Sequence, residues 1–207
     1  YKRQSMPNIK VGKFITQVIL QNIEVEDIDL SNATDLRSAW VQNNPALQKL
    51  DLSYSTIWGQ GDKETEGNGT YGSSLMVLGC PILKEIKLPE KNELKAYRID
   101  IECLDALETF DMSNVKMVAE LSIGDLNKDF NLVYPELTIF YSEDGYAGTY
   151  FACSENTFYR ESTQAFLKAN YTDIDPDDTV RRLGYTSSLS YDKNKGCRWR
   201  TLLNKQK

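Results

Sequence analysis

A recurring apolar pattern constrains this chain more than any other feature. In each copy an apolar residue is followed by two variable positions, a second apolar residue, one variable position and a third apolar residue. The copies read VEDIDLS (25–31), PALQKLDLS (45–53), PILKEIKLP (81–89) and DALETFDMS (105–113), with a shifted copy, PELTIFY, at 135–141. One copy cannot bury its own apolar side chains, but copies stacked side by side can, so the pattern predicts a repeat architecture.

The spacing of the copies supports this interpretation. Their last apolar residues follow one another at steps of 22, 36, 24 and about 27 residues. The long step contains GQGDKETEGNGTYG at 59–72, whose glycines and charges indicate an inserted loop. A weaker copy of the pattern ends 11 residues after three of the main ones, at Val41, Ile99 and Ile123. This predicts two short strands per repeat.

The pattern resembles the BspA-type leucine-rich repeats of bacterial surface proteins, most closely in CPILKEIKLP at 80–89. The resemblance implies a mostly β leucine-rich-repeat solenoid with short helices, formed by repeats of about 22–27 residues over 24–141. Residues 1–23 would cap its N-terminal end and residues 142–207 its C-terminal end. It also implies adhesion or recognition at a bacterial surface or after secretion.

The two caps are predicted from local patterns. Phe14, Ile15, Val18 and Ile19 recur at helical spacing, which predicts an amphipathic capping helix over 11–22, with a strand as the alternative because of the β-branched residues. The C-terminal region is rich in aromatic residues, and 162–170 is predicted to be a short helix with Ser162 as its N-cap.

Composition excludes several functions. The chain has no histidine among its 207 residues, which excludes histidine-based triads and histidine metal ligands. The net charge is −6, but residues 14–192 carry about −16 because both termini are basic, so nucleic acid is not an expected partner. No apolar run approaches ~18 residues, so membrane insertion is not expected. The start at Tyr1 predicts a trimmed fragment without its targeting segment.

The four cysteines do not form a CxxC motif, so the spacing predicts neither a zinc site nor a thioredoxin-like pair. Cys80 and Cys103 are predicted to occupy the same buried position in successive repeats. For Cys153 and Cys197, a disulfide and two free thiols remain alternatives.

Motifs for enzyme chemistry are missing. There is no GxSxG and no phosphate-binding loop, and the aspartates of TDIDPDD (172–178) lack the glycine and distal glutamate of a calcium loop. Carboxylate pairs such as Glu24 and Asp27 leave a glycosidase as a remote alternative. We therefore expect no catalysis, no metal and no cofactor.

Repeat proteins bind partners on extended faces, so the outward-facing side chains of the predicted main sheet are the candidate site. Alternation along the strands places ten residues there: Asp27, Asp29, Lys49, Asp51, Glu85, Lys87, Thr109, Asp111, Glu136 and Thr138. Six acids against two lysines predict a protein or peptide partner of basic character, which the resemblance implies is extracellular, with a merely solvated face as the alternative. A second hypothesis is carbohydrate binding through Trp40, Trp58 and Trp199.

Overall fold

The computed structural model describes residues 5–60, 73–127, 129–138, 142–143, 146–147, 150–170 and 201–202. In chain order its strands and helices are β1 (Ser5–Lys10), β2 (Gln17–Gln21), β3 (Glu24–Asp29), β4 (Ser38–Gln42), β5 (Lys49–Asp51), β6 (Ser74–Leu78), β7 (Glu85–Lys87), β8 (Leu94–Leu104), β9 (Thr109–Asp111), β10 (Val115–Leu126), β11 (Asn131–Val133), β12 (Ser142–Glu143), β13 (Tyr146–Ala147), β14 (Tyr150–Cys153), α1 (Glu155–Phe158), α2 (Glu161–Asn170) and β15 (Thr201–Leu202). The protein is therefore mostly β with two short helices in the described ranges.

One large sheet dominates the described part of the chain. Six strands, β2, β4, β6, β8, β10 and β14, run parallel in that order, and β15 adds to the outer edge of β14 in the antiparallel direction. Two of the parallel strands are long: β8 has 11 residues and β10 has 12.

Short strands form a second row. They form three parallel pairs: β1 with β3, β5 with β7, and β9 with β11. The pairs lie next to one another, because β3 contacts β5 and β7 contacts β9. The chain thus alternates between a strand of the large sheet and a short strand through most of its length. Strands β12 and β13 form a small antiparallel hairpin.

The apolar pattern of the sequence marks the core correctly. The triplets of the four unshifted copies are all buried: Val25, Ile28, Leu30, Leu47, Leu50, Leu52, Leu83, Ile86, Leu88, Leu107, Phe110 and Met112. They join one hydrophobic cluster with the inward-facing residues of the large sheet, such as Val41, Val77 and Ile101. The register also pairs Leu50 with Ile86 across the insertion, as the repeat alignment requires.

The predicted leucine-rich-repeat solenoid is nevertheless wrong as a description of the fold. The dominant element is one six-stranded parallel sheet, and three of its strands, β4, β8 and β10, come from the segments that carry the weaker copies of the pattern. The strong copies contribute three-residue strands such as β5, β7 and β9, which lie outside that sheet. The physical reason is that alternation at period 2 marks buried positions on any strand, and it specifies neither the strand's length nor the sheet that it joins.

The predicted helix over 11–22 is also wrong. Residues 17–21 form strand β2, while Phe14 and Ile15 lie exposed in the turn before it. The β-branched residues Val18 and Ile19 favour a strand, and pairing with β4 decides the competition. The C-terminal helix is confirmed as α2, although it begins at Glu161 and Ser162 lies within its first turn.

Residues with a left-handed backbone lie at one level of the large sheet, directly after β2, β4 and β6 and inside β8. Asn22, Asn43, Gly79 and Cys103 have φ values of 56°, 52°, 64° and 55°. The register aligns the residues just before them, so all four occupy equivalent positions. Cys103 therefore matches Gly79, one residue before Cys80, and the prediction that the two cysteines share one position is wrong.

The described helices, of four and ten residues, are both far too short to cross a bilayer. The inserted loop lies mostly outside the described residues, as do TDIDPDD, Trp199 and Cys197.

Candidate functional site

Eight of the ten predicted site residues lie together on the row of short strands. They are Asp27 and Asp29 on β3, Lys49 and Asp51 on β5, Glu85 and Lys87 on β7, and Thr109 and Asp111 on β9. Each is exposed or half-buried, whereas the residue between each pair is buried. We call these eight residues, together with Lys10 on β1, the short-strand face.

The other two predicted residues lie elsewhere. Glu136 and Thr138 follow β11, and both contact the start of β10: Glu136 pairs with the Lys116 ammonium at 2.9 Å, and the Thr138 N–H donates to the Lys116 carbonyl at 3.1 Å. The true continuation of the row is β11, where Asn131 pairs with Thr109. The prediction placed the last strand of the row at 135–141 because Leu137 fits the apolar pattern, but residues 134–138 form no strand.

A recurring Asp-x-Ser turn orients three carboxylates of the short-strand face. The Oδ1 atoms of Asp29, Asp51 and Asp111 accept hydrogen bonds from the backbone N–H two residues later, at 2.9, 3.0 and 2.8 Å. These are Asx turns, in which the side chain replaces a backbone acceptor. The hydrogen bonds from Ser31 hold the pKa of Asp29 below its usual value. The motif was visible in the sequence as DLS, DLS and DMS, but its structural role was missed.

Lysines cross-link much of the same face. The Lys49 ammonium lies 3.1 Å from Glu85 and 3.2 Å from Asp51, and Lys87 lies 3.1 Å from Glu85. The hydrogen bond to Glu85 raises the pKa of Lys49, and the hydrogen bonds from Lys49 and Lys87 lower the pKa of Glu85. Lys10, which was not predicted, pairs with Asp29 at 3.3 Å.

The short-strand face is therefore less acidic than predicted. It contains five acids and three lysines, and most of these charges face one another in exposed pairs of modest strength. Asp27 and Asp111 are exposed and have no ion pair with a described residue, so the unbalanced negative charge lies near the two ends of the row.

The solvent-facing side of the large sheet presents a different surface around Trp40. Trp40 is half-buried between Ile19 on β2 and Met76 on β6, its neighbours in register. Above it, the Gln21 amide donates to the Gln42 side-chain oxygen at 3.3 Å. Within the described residues the buried Trp40 Nε1 has no hydrogen-bond acceptor. We call Gln17, Ile19, Gln21, Ser38, Trp40, Gln42 and Met76 the Trp40 patch.

The other two tryptophans do not extend this patch. Trp58 is fully buried, and its Nε1 donates to the Ser74 carbonyl at 3.4 Å. Trp58 therefore cannot contact a sugar as the second hypothesis requires, and Trp199 lies outside the described residues.

An ion pair between the half-buried Arg98 and the buried Asp100 lies farther along the same side of the large sheet. Asp100 is completely buried, and its Oδ2 lies 2.9 Å from the Arg98 guanidinium. Arg98 also reaches Glu120 at 3.5 Å. Asp100 Oδ1 has no hydrogen-bond donor among the described residues. Loss of Arg98 would leave the enclosed Asp100 carboxyl group without its ion-pair partner, a change that is strongly destabilising at buried sites.

Two of the thiols, those of Cys80 and Cys153, are buried and hard to ionise. Cys80 and Cys153 are free and buried, and burial raises their pKa values to about 11 and about 12. A thiol needs a lowered pKa to act as a nucleophile near neutral pH. Across the described ranges no group of three or more cysteine, aspartate or glutamate residues is placed to hold a metal ion.

Comparisons with protein-family models, with curated proteins and with solved structures find no match to this chain. Any function must therefore be argued from the chain's own residues.

Proposed function

We propose that this protein is a non-enzymatic binding protein that recognises a basic segment of an extracellular protein or peptide on its short-strand face. The bacterial surface or secreted location implied by the sequence resemblance belongs to the same proposal. The observation that supports it most is the state of Asp111. Its Oδ1 is held by the Ser113 N–H, while no described cation pairs with it, so it is a charged acceptor in a fixed orientation.

Pre-orientation matters for affinity. An ordered acceptor has already lost the rotational freedom that a mobile side chain would lose on binding. A lysine or arginine of the partner would form a charge-assisted hydrogen bond to it, the stronger class of hydrogen bond. Asp27, exposed at the other end of the row, offers a second carboxylate.

The ion pairs between these two ends favour an extended partner with separated charges. Lys49 and Lys87 already pair with the central carboxylates Asp51 and Glu85, and Lys10 pairs with Asp29, which is on the same strand as Asp27. A partner therefore gains little at these three carboxylates, because it would exchange one exposed ion pair for another. Asp27 on β3 and Asp111 on β9 are separated by β5 and β7, which pair with each other, while β3 and β5, like β7 and β9, are neighbours from separate two-stranded sheets. Three strand spacings of at least ~4.8 Å place the two carboxylates roughly 14 Å or more apart. An extended peptide with basic residues at least about 14 Å apart would reach both.

The test uses synthetic extended peptides with two lysines or arginines at varied spacing, measured by fluorescence anisotropy. The double variant Asp27→Asn/Asp111→Asn removes both charges, while the amide introduced at position 111 keeps an oxygen for the Ser113 N–H. We expect at least about a tenfold loss of affinity, corresponding to about 1.4 kcal/mol. The matched control is Glu90→Gln/Glu161→Gln, which changes net charge equally at exposed positions elsewhere.

Binding that weakens with salt in the wild type and in the control, but is lost in the Asp variant, supports the proposal. Equal binding by both double variants, or no basic peptide bound at any spacing, contradicts it.

A carbohydrate is the second candidate, because Trp40 lies on a sheet surface flanked by amides. An indole ring packs against the apolar face of a sugar, and glutamine side chains both donate to and accept from hydroxyls. Trp58 is buried and serves as an internal reference in a fluorescence titration with polysaccharides. A shift that disappears in Trp40→Phe favours this candidate, and the absence of any shift removes it.

A further inference from the structure

The two edges of the large sheet are treated differently. At one edge the outermost strand is very short: the two residues of β15, Leu202 and Thr201, pair with Tyr150 and Phe151 of β14. At the other edge β2 pairs with β4 alone among the described residues. An uncovered edge presents a row of unpaired backbone donors and acceptors.

The hydrogen bonds to β4 show which backbone groups of β2 face outward. The Ser38 N–H donates to the Thr16 carbonyl at 3.1 Å, and the Asn22 N–H donates to the Gln42 carbonyl at 2.9 Å. Because successive residues of a strand alternate in direction, even-numbered residues face β4. The N–H and C=O groups of Gln17, Ile19 and Gln21 therefore point to the open edge.

Strand β2 lacks the usual protection of an edge. Its sequence QVILQ has no charge and no proline, and its register with β4 is free of bulges. Natural edge strands commonly carry such features to prevent pairing with other chains. Exposed apolar side chains also lie on β2 and just before it, since Phe14 is 83% exposed, Ile15 43% and Ile19 49%.

The sequence of β2 is self-complementary in the antiparallel direction. With Ile19 opposite Ile19 of a second copy, Gln17 lies opposite Gln21, and Val18 lies opposite Leu20. In this register the three residues that face the open edge all fall at hydrogen-bonded positions of an antiparallel pair. Amides then meet amides on the solvent side, and no like charges are brought together.

We propose that β2 is a homodimerisation edge, at which a second copy of this chain adds antiparallel about a two-fold axis through Ile19. A second copy fits better than a charged peptide because β2 offers no charge for such a peptide to complement. The two-fold axis also brings Phe14 and Ile15 of each copy to the flanks of the joined strands. This inference goes beyond the proposed binding function and does not depend on it.

Sedimentation velocity of the whole chain over about 1–300 μM tests the proposal, because an interface formed by one five-residue strand and its flanking residues is small and belongs to the weak class. The wild type should change from monomer to dimer within that range. Ile19→Lys and Ile19→Glu should each weaken the dimer by about tenfold or more, since each places like charges opposite each other. Ile19 points to solvent, so both variants should keep the wild-type circular dichroism and urea midpoint.

An equimolar mixture of the two Ile19 variants provides the sharper measurement. Opposite charges then meet across the axis, so a heterodimer should form where neither variant dimerises alone. Ile82→Lys is the matched control, because Ile82 is 40% exposed at a site away from β2, and it should dimerise as the wild type does. A wild type that stays monomeric throughout, a dimer unaffected by Ile19→Lys, or a mixture that stays monomeric would overturn the proposal.

Discussion

Asp29, Asp51 and Asp111 each serve two purposes at once. Each holds the turn after its strand through the backbone N–H of the serine two residues later, and each contributes charge to the short-strand face. Replacing all three by lysine would therefore disturb the turns as well as the charge. The two roles separate when aspartate is exchanged for asparagine, which keeps the acceptor and removes the charge.

Asp111 is the best position at which to measure the turn alone, because no described lysine pairs with it. We expect Asp111→Ala to lower the free energy of unfolding by about 1 kcal/mol, the usual contribution of such a hydrogen bond. Asp111→Asn should stay within about 0.5 kcal/mol of the wild type. Urea unfolding of both variants measures this, and equal losses in the two would show that charge, not the turn, supports stability here.

At the scale of single residues the sequence predicted the core well and the surface only in part. All twelve apolar residues of the triplets in the four unshifted copies are buried. They could be predicted because side chains alternate between the two faces of a strand, so a strand with one buried face alternates apolar and polar residues. The ion pairs were not predictable in the same way. Lys10 meets Asp29 because β1 pairs with β3, and that pairing leaves no local trace in the sequence.

At the scale of elements, one residue with a positive φ follows each of β2, β4 and β6, and a fourth lies at the equivalent position inside β8. Asparagine and glycine adopt positive φ with little strain, but cysteine at position 103 does so at a cost of roughly 1 kcal/mol. The side chains of Asn22 and Asn43 already interact, with the Asn43 amide donating to the Asn22 oxygen at 2.8 Å. Of the four equivalent positions, 103 is therefore the one whose residue type disfavours the positive φ.

We expect Cys103→Asn to raise the free energy of unfolding by about 0.5–1 kcal/mol, because asparagine tolerates this conformation. Thermal or urea unfolding of the reduced protein measures the change. Cys103→Ala is the control, since it removes the thiol while leaving a side chain that disfavours positive φ. Stabilisation by alanine equal to that by asparagine would contradict the backbone explanation.

The errors at the scale of elements have a common cause. The residues of β2 fit both a helical and a strand pattern, and only their pairing with β4 distinguishes the two. Similarly, the weaker pattern ending at Ile99 was placed two residues out of register, because Ile101 is the residue that aligns with Val77 and Ile123. Long-range pairing decided the structure in both places.

For the whole molecule, the ionisable groups predict a free energy of unfolding that does not change with pH near neutrality. There is no histidine to change charge there. The pKa of Glu85 is lowered by its lysine hydrogen bonds, and hydrogen bonds from Ser31 lower that of Asp29. A lowered carboxyl pKa contributes stability that is complete above the unfolded value and lost as the pH falls through the folded value.

The basic and thiol groups act at the other end of the pH scale. The raised pKa values of Lys49, Cys80 and Cys153 contribute stability that is complete below their unfolded values and lost as the pH rises. We therefore expect the free energy of unfolding to be constant between about pH 5 and pH 8, and to fall below about pH 4 and above about pH 9.

Urea unfolding at intervals from pH 3 to pH 11 measures this profile. Cys153→Ala should be less stable than the wild type at pH 7 because it leaves a small cavity, but its alkaline decline should be shallower. A decline as steep as that of the wild type would show that burial of this thiol does not contribute.

The most direct test of the binding proposal is hydrogen–deuterium exchange with and without the tightest basic peptide from the spacing series. We predict slower exchange confined to residues 24–31 and 109–113, the two ends of the short-strand face, and no such change in the Asp27→Asn/Asp111→Asn variant. Slower exchange in β2, β4 and β6 instead, or none anywhere, would contradict the assignment of binding to this face.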